Sequence, residues 1–178
     1  MSGYRLHERI DLIRNKKQLR LVTLLSVLLA AGCIAAGLLI QLPDFSSLSL
    51  VRFLAALAGI AVYIVGHEAV HGILIWCFSR RKPNFGFSLM YAYAGSDFFF
   101  AKTPYLLIAA APLVFWTIVL SLLAALLPPE WFWAIWAIQI TNVSGAAGDV
   151  YVFFHVLRKP QNVRIQDTGT AMSLCLPG

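Results

Sequence analysis

Charge is scarce in this sequence. Only 12% of its 178 residues are charged, while 60% are hydrophobic. Soluble domains carry about 25% charged residues and about 45–50% apolar ones. The shortage excludes a large soluble domain and implies a membrane protein. Acid is scarcer than base: 8 Asp and Glu stand against 14 Lys and Arg, for a net charge of +6. In a soluble protein that balance would suggest nucleic acid. Here the basic residues flank apolar runs, so they speak for orientation in a bilayer, and no nucleic-acid partner is expected. Cysteine is also sparse. Cys33, Cys77 and Cys175 are scattered, with no CxxC spacing. This excludes a disulfide framework and a thiolate metal cage. A short basic leader is missing too. About twenty polar residues, Glu8 and Asp11 among them, precede the first apolar run, which therefore reads as a retained span and not as a cleavable signal.

What the sequence has is long apolar runs. Residues 1–20 form a basic arm, read as a weakly amphipathic helix at an anionic membrane surface. The first span, 21–42, is uncharged and long enough to cross about 30 Å of hydrocarbon. The second, 50–78, closes on Arg80, Arg81 and Lys82. The third, 104–127, contains Pro112, which needs a kink or repair by neighbours. The fourth, 131–157, opens on Trp131, Trp133 and Trp136, an interfacial aromatic belt. Between the second and third spans, residues 84–103 are aromatic and β-prone, with a turn expected near Gly95, Ser96 and Asp97. Open strands cannot face lipid, so this hairpin belongs at the interface or against protein. Residues 158–178 read as a short, loosely ordered tail. The expected fold is an all-α membrane protein of four transmembrane helices with a membrane-associated β-hairpin between the second and third.

The charges orient it. The arm, the 79–103 loop and the tail hold thirteen Lys and Arg; the other two loops hold one, Arg52. By the positive-inside rule both termini and the hairpin are cytoplasmic in a multi-pass cell-membrane protein.

Against this background "YIVGHEAVHGILIW", residues 63–76, is anomalous. A charge near mid-bilayer costs about 2.5–3.5 kcal/mol and usually marks function. His67 and His71 are four apart and share a helix face, so both imidazoles can reach one Zn²⁺. Glu68, displaced by about 100° around the helix, can act on water beside the metal without ligating it. A catalytic zinc usually takes three protein ligands. Asp149 precedes the cytoplasmic end of its span by eight residues, as His71 and His67 precede theirs by seven and eleven. All three then lie roughly 10–17 Å from that face. The small residues of "SGAAGD", 144–149, let helices approach closely. Asp149 is therefore the candidate third ligand; the alternative is a buried carboxylate paired with a histidine or backbone donors. Asn142, two turns above, could bond an extended substrate backbone or another helix. His155 reads as interfacial, Asp97 as a turn residue and Glu130 as solvated.

"HEAVH" at 67–71, the aromatic hairpin running into a helix with Ala111–Pro112, and "NVSGAAGD" at 142–149 resemble the intramembrane metalloproteases of the site-2 class. The chain is similar to a bacterial family of small membrane zincin peptidases over most of residues 50–157. It departs where site-2 proteases usually carry Gly-Pro, and where their aspartate motif is proline-rich. The resemblance implies His67, His71 and Asp149 as zinc ligands, Glu68 as acid and base, and a membrane-protein or peptide substrate. The rival from another class is a membrane metal-binding or transport protein without hydrolysis. Conduction needs polar groups strung along a path, whereas this chain gathers them at one level.

Overall fold

A computed structural model describes residues 3–12, 14–44, 49–87 and 92–178. In chain order the elements are β1 (Tyr4–Ile10), α1 (Lys16–Ile40), α2 (Leu50–Ser79), β2 (Asn84–Phe87), β3 (Ala92–Gly95), β4 (Phe99–Ala101), α3 (Lys102–Leu126), a 3-10 turn (Pro129–Trp131), α4 (Phe132–Gly145), α5 (Ala147–Leu157), β5 (Arg164–Asp167) and β6 (Met172–Pro177). The chain is mostly helical. Among the described residues α1, α2 and α3 are long and apolar enough to cross a membrane. Leu39 and Val65 are among many large apolar side chains that stand exposed on these helices, a surface suited to lipid and not to water.

Local chemistry sets the helix ends. Asn15 Oδ1 accepts the backbone N–H groups of Lys17 and Gln18, capping α1. α2 stops where Arg80 takes a φ of 56°, the left-handed turn that commonly closes a helix, with Pro83 beyond it.

The fourth expected span differs from its expectation. Residues 131–157 do not form one transmembrane helix; they form α4 and α5, broken at Ala146 (φ −75°, ψ 7°). The cause is local. Thr141 and Ser144 turn their hydroxyls back to the carbonyls of Ala137 and Ile140, which bends helices, and Gly145 and Gly148 are poor helix formers.

The all-α expectation also gives way. The arm and the tail are strands, not an amphipathic helix and a loose end. β1, β6, β5 and β4 form a four-stranded antiparallel sheet in that order, with Tyr4 opposite Pro177 and Phe100 opposite Ile165. The hairpin between α2 and α3 is narrower than residues 84–103. β2 pairs with β3 alone, residues 88–91 between them lie outside the described residues, and Gly95–Asp97 leads on to β4.

The chain divides into two compact units, and α2 runs unbroken through the division. One unit comprises Met1–Val22, Glu68–Pro112 and Gly148–Gly178. Its core joins Ile10, Phe100, Val163, Ile165, Met172 and Leu174 of the sheet to Ile75, Ile108, Val152 and Val156 of the helices. The other comprises Thr23–His67 and Leu113–Ala147. There Trp136 lies against Gly37 and donates its indole N–H to the Cys33 carbonyl at 2.9 Å.

An ionic clasp ties β1 to the end of α5. Lys159 Nζ donates to Glu8 Oε2 at 2.6 Å, and His155 Nε2 lies 3.0 Å from the same oxygen. Burial alone would raise the Glu8 pKa. The bonds from Lys159 and His155 outweigh it and hold the carboxyl below its ordinary value of 4.5. A depressed carboxylate stabilises the fold above its unfolded pKa, and the contribution is lost as pH falls through the folded one. Glu8→Gln should therefore cost about 1 kcal/mol near neutral pH, given the partial exposure of the pair. Unfolding in detergent checks this: the gap to wild type should close in acid, and a gap independent of pH would refute the ionic account.

Candidate metal centre

α2 carries His67, Glu68 and His71 because nothing interrupts its ladder from Leu50 to Ser79. The two imidazoles stand one turn apart, both buried, at 7% and 8% exposure. Asp149 is the third residue of α5, in its first turn. A carboxylate is favoured there because the unpaired N–H groups of a helix start carry positive partial charge. The break at Ala146 thus has a consequence: it gives Asp149 a helix N-terminus inside a stretch that would otherwise be mid-helix.

The sequence-derived ligands come together. His71 Nε2 lies 3.6 Å from Asp149 Oδ2. Ligand atoms of His67, His71 and Asp149 all fall within 4.8 Å of one another, the group among the described residues that could hold a metal ion. Tetrahedral zinc with bonds of about 2.0–2.1 Å separates its ligand atoms by about 3.4 Å, so the histidine–aspartate spacing fits with little adjustment.

The far sides of both rings are held. Tyr63, one turn before His67, places its hydroxyl 2.9 Å from His67 Nδ1 and its ring edge-on to the imidazole at 5.6 Å. His71 Nδ1 lies 2.9 Å from the Ile108 carbonyl of α3. A carbonyl only accepts, so this nitrogen donates, and Nε2 is the nitrogen on the side of Asp149. Bonds of this kind fix tautomer and ring orientation in metal sites. The donor chemistry and its outer support fit zinc: two imidazoles, one carboxylate, no thiolate.

Glu68 is half-buried, and it acts on the His71 ring electrostatically, as Asp149 does. Gly66 and Gly72 flank the motif, and aromatic rings fill the space beside them. Trp116 packs on Gly66 and Phe85 of β2 on Gly72, so a Cβ at either position would collide.

Other expected residues lie elsewhere. Asn142 is fully buried; its Nδ2 donates to Thr117 Oγ1 at 3.0 Å, and its Oδ1 has no hydrogen-bond partner among the described residues. His155 belongs to the Glu8 clasp. One acid was not anticipated. Asp167 of β5 accepts the Tyr105 hydroxyl at 2.6 Å and the Gly169 N–H at 2.9 Å, and it interacts electrostatically with His71 and Asp149. Burial pushes its carboxyl above the ordinary value, and those two hydrogen bonds oppose the rise. Tyr63 could have been found from its i−4 spacing to His67. Nothing local marks Asp167, which reaches this region through strand pairing.

His67→Ala should abolish zinc binding. Tyr63→Phe, which removes only the hydroxyl at His67 Nδ1, should weaken it about tenfold. Competition with a chromophoric chelator measures both; undiminished affinity in Tyr63→Phe would exclude the orienting role.

Compared with curated proteins and with solved structures, the chain finds no match. A family comparison does match: the family described as "Putative zincin peptidase" covers residues 59–164, from ahead of His67 to beyond Asp149. That is more than half of the chain, and it contains the motif, the hairpin, α3 and Asp149. The chain belongs to this zincin peptidase family.

Proposed function

We propose that the protein is a zinc-dependent peptidase of the site-2 kind, cutting peptide bonds within or beside the membrane near its cytoplasmic face. The observation that carries this is the gathering of His67 and His71 with Asp149 of α5, where the helix that bears both histidines and Glu68 is apolar enough to span a bilayer. Family membership supports a metallopeptidase.

Topology supports the placement. β1, β4, β5 and β6 are hydrogen-bonded in one sheet, so the N-terminus, the α2–α3 connection and the C-terminus share a side. These are the three segments that hold thirteen of the fourteen basic residues, which supports a cytoplasmic side. α3 leads away from β4, and the chain must return to β5. α4 and α5 together make that return, which supports reading them as a fourth, broken crossing. Non-helical backbone at depth is tolerated where protein surrounds it, and Ala146 is fully buried.

Zinc, when bound by the two histidines and Asp149, would polarise the scissile carbonyl and make water acidic enough to lose a proton near neutral pH. Glu68 lies beside the ligand set and not in it. Its carboxylate accepts the proton from the attacking water and delivers it to the departing amine. A substrate helix hides its peptide bonds and must be drawn out first. β2 and β3 form a two-stranded sheet, so each offers an outer edge to an extended strand. Phe85 of β2 rests on Gly72, next to His71, which keeps that edge alongside the ligand helix.

Glu68→Gln should retain zinc at the wild-type level and lose cleavage by about 10²–10⁴-fold. Whole-membrane proteomics of cells carrying wild type or Glu68→Gln reads this as fragments made only by wild type. Persistent cleavage in the variant would remove Glu68 from the mechanism. Zinc held by a wild type that cuts nothing would favour the metal-binding or transport reading.

A further inference from the structure

Pro112 lies inside α3, fully buried, where a proline is costly. It has no N–H, so the carbonyl four residues earlier in the helix loses its normal partner. That residue is Ile108. Its oxygen is the one that His71 Nδ1 meets at 2.9 Å. The missing donor on α3 and the donated bond from α2 fall on one atom. Deep in apolar surroundings a carbonyl without a donor is unfavourable, and an imidazole N–H supplies one.

We propose that Pro112 is a positioning residue for the metal centre: by removing one N–H from α3 it releases the Ile108 carbonyl to hold the His71 ring with Nδ1 protonated and Nε2 turned to Asp149. This rests on the reading of His67, His71 and Asp149 as the metal site. The proline acts through His71 and touches no substrate. An alanine at 112 would restore the helical N–H, draw the Ile108 carbonyl back along the helix axis and compete with His71 for it. The ring would then be free to turn, or to populate the tautomer whose proton sits on the ligand nitrogen.

The test compares three full-length proteins in detergent for zinc affinity by chelator competition. They are wild type, Pro112→Ala, and a protein with the α-hydroxy acid analogue of alanine at 112. The last has an ester oxygen in place of N–H and lacks the proline ring. Pro112→Ala should bind zinc about 10–100-fold more weakly. The ester should bind as wild type does. Wild-type affinity in Pro112→Ala overturns the proposal. So does equal weakening in Pro112→Ala and the ester, which would mean that the ring matters and the absent N–H does not. If Pro112→Ala fails to fold, the ester decides: wild-type affinity supports the proposal and a loss overturns it. A wild type that binds no zinc defeats the metal reading itself and this inference with it, whereas zinc binding that ignores position 112 defeats this inference alone.

Discussion

A histidine and an aspartate 3.6 Å apart, on helices that otherwise present Leu, Ile, Val and Phe, set the constraint that the rest of the fold has to meet. Neither group is comfortable there alone. A carboxylate taken from water needs compensating positive charge or donors, and an imidazole needs partners for both nitrogens. The chain supplies these from different elements. The start of α5 offers its helix N-terminus to Asp149, and α3 offers a carbonyl to His71. Each provision requires an irregularity in a membrane-type helix, the break at Ala146 in one case and Pro112 in the other. The two irregularities are therefore parts of one design and not separate defects.

The sheet bears on the same constraint. β5 runs between β4 and β6, and β6 is closed off by β1, so the strand that carries Asp167 is held on both sides. Asp167 in turn accepts the hydroxyl of Tyr105, one turn of α3 before the Ile108–Ala109 level. The Glu8 clasp secures β1 to the far end of α5, the helix that begins with Asp149's turn. A segment read from sequence as a loose tail is thus structural support. Val163, Ile165 and Leu174 have no exposed surface at all.

Much of the site was legible in the sequence, and much of the fold was not. Scarce charge and long apolar runs identify α1, α2 and α3, because helix length and hydropathy are local properties. The i,i+4 histidines are legible for the same reason. Asp149 was reached by depth: helices rise evenly, so residues at equal distances from the same face lie at one level. The break in the fourth span was written in Thr141, Ser144 and two glycines, but their combined effect depends on hydroxyls choosing backbone over solvent. The four-stranded sheet was hidden more thoroughly. Tyr4 pairs with Pro177, nearly the whole chain away, and no short-range pattern encodes such a partner. The expected turn at Gly95–Asp97 missed for a related reason: β4 takes β5 as its partner and leaves β3 to β2.

The manner in which His67 and His71 are held bears on what a metal there would be for. A carrier must let its ion go, and conduction relies on several modest sites along a path. Here the polar groups converge, and both imidazoles are hydrogen-bonded at Nδ1. Rings fixed in that way cannot turn with a departing ion without breaking bonds to Tyr63 and Ile108. Fixed ligands suit a resident metal whose orientation toward a reacting group has to be reproducible, since small displacements of a catalytic constellation cost large factors in rate. Glu68 completes that argument. A second acid beside a set of two histidines and an aspartate adds little to holding an ion, and its place one residue after His67 turns it out of the ligand face. A proton acceptor at that position is what hydrolysis requires and what storage or passage does not.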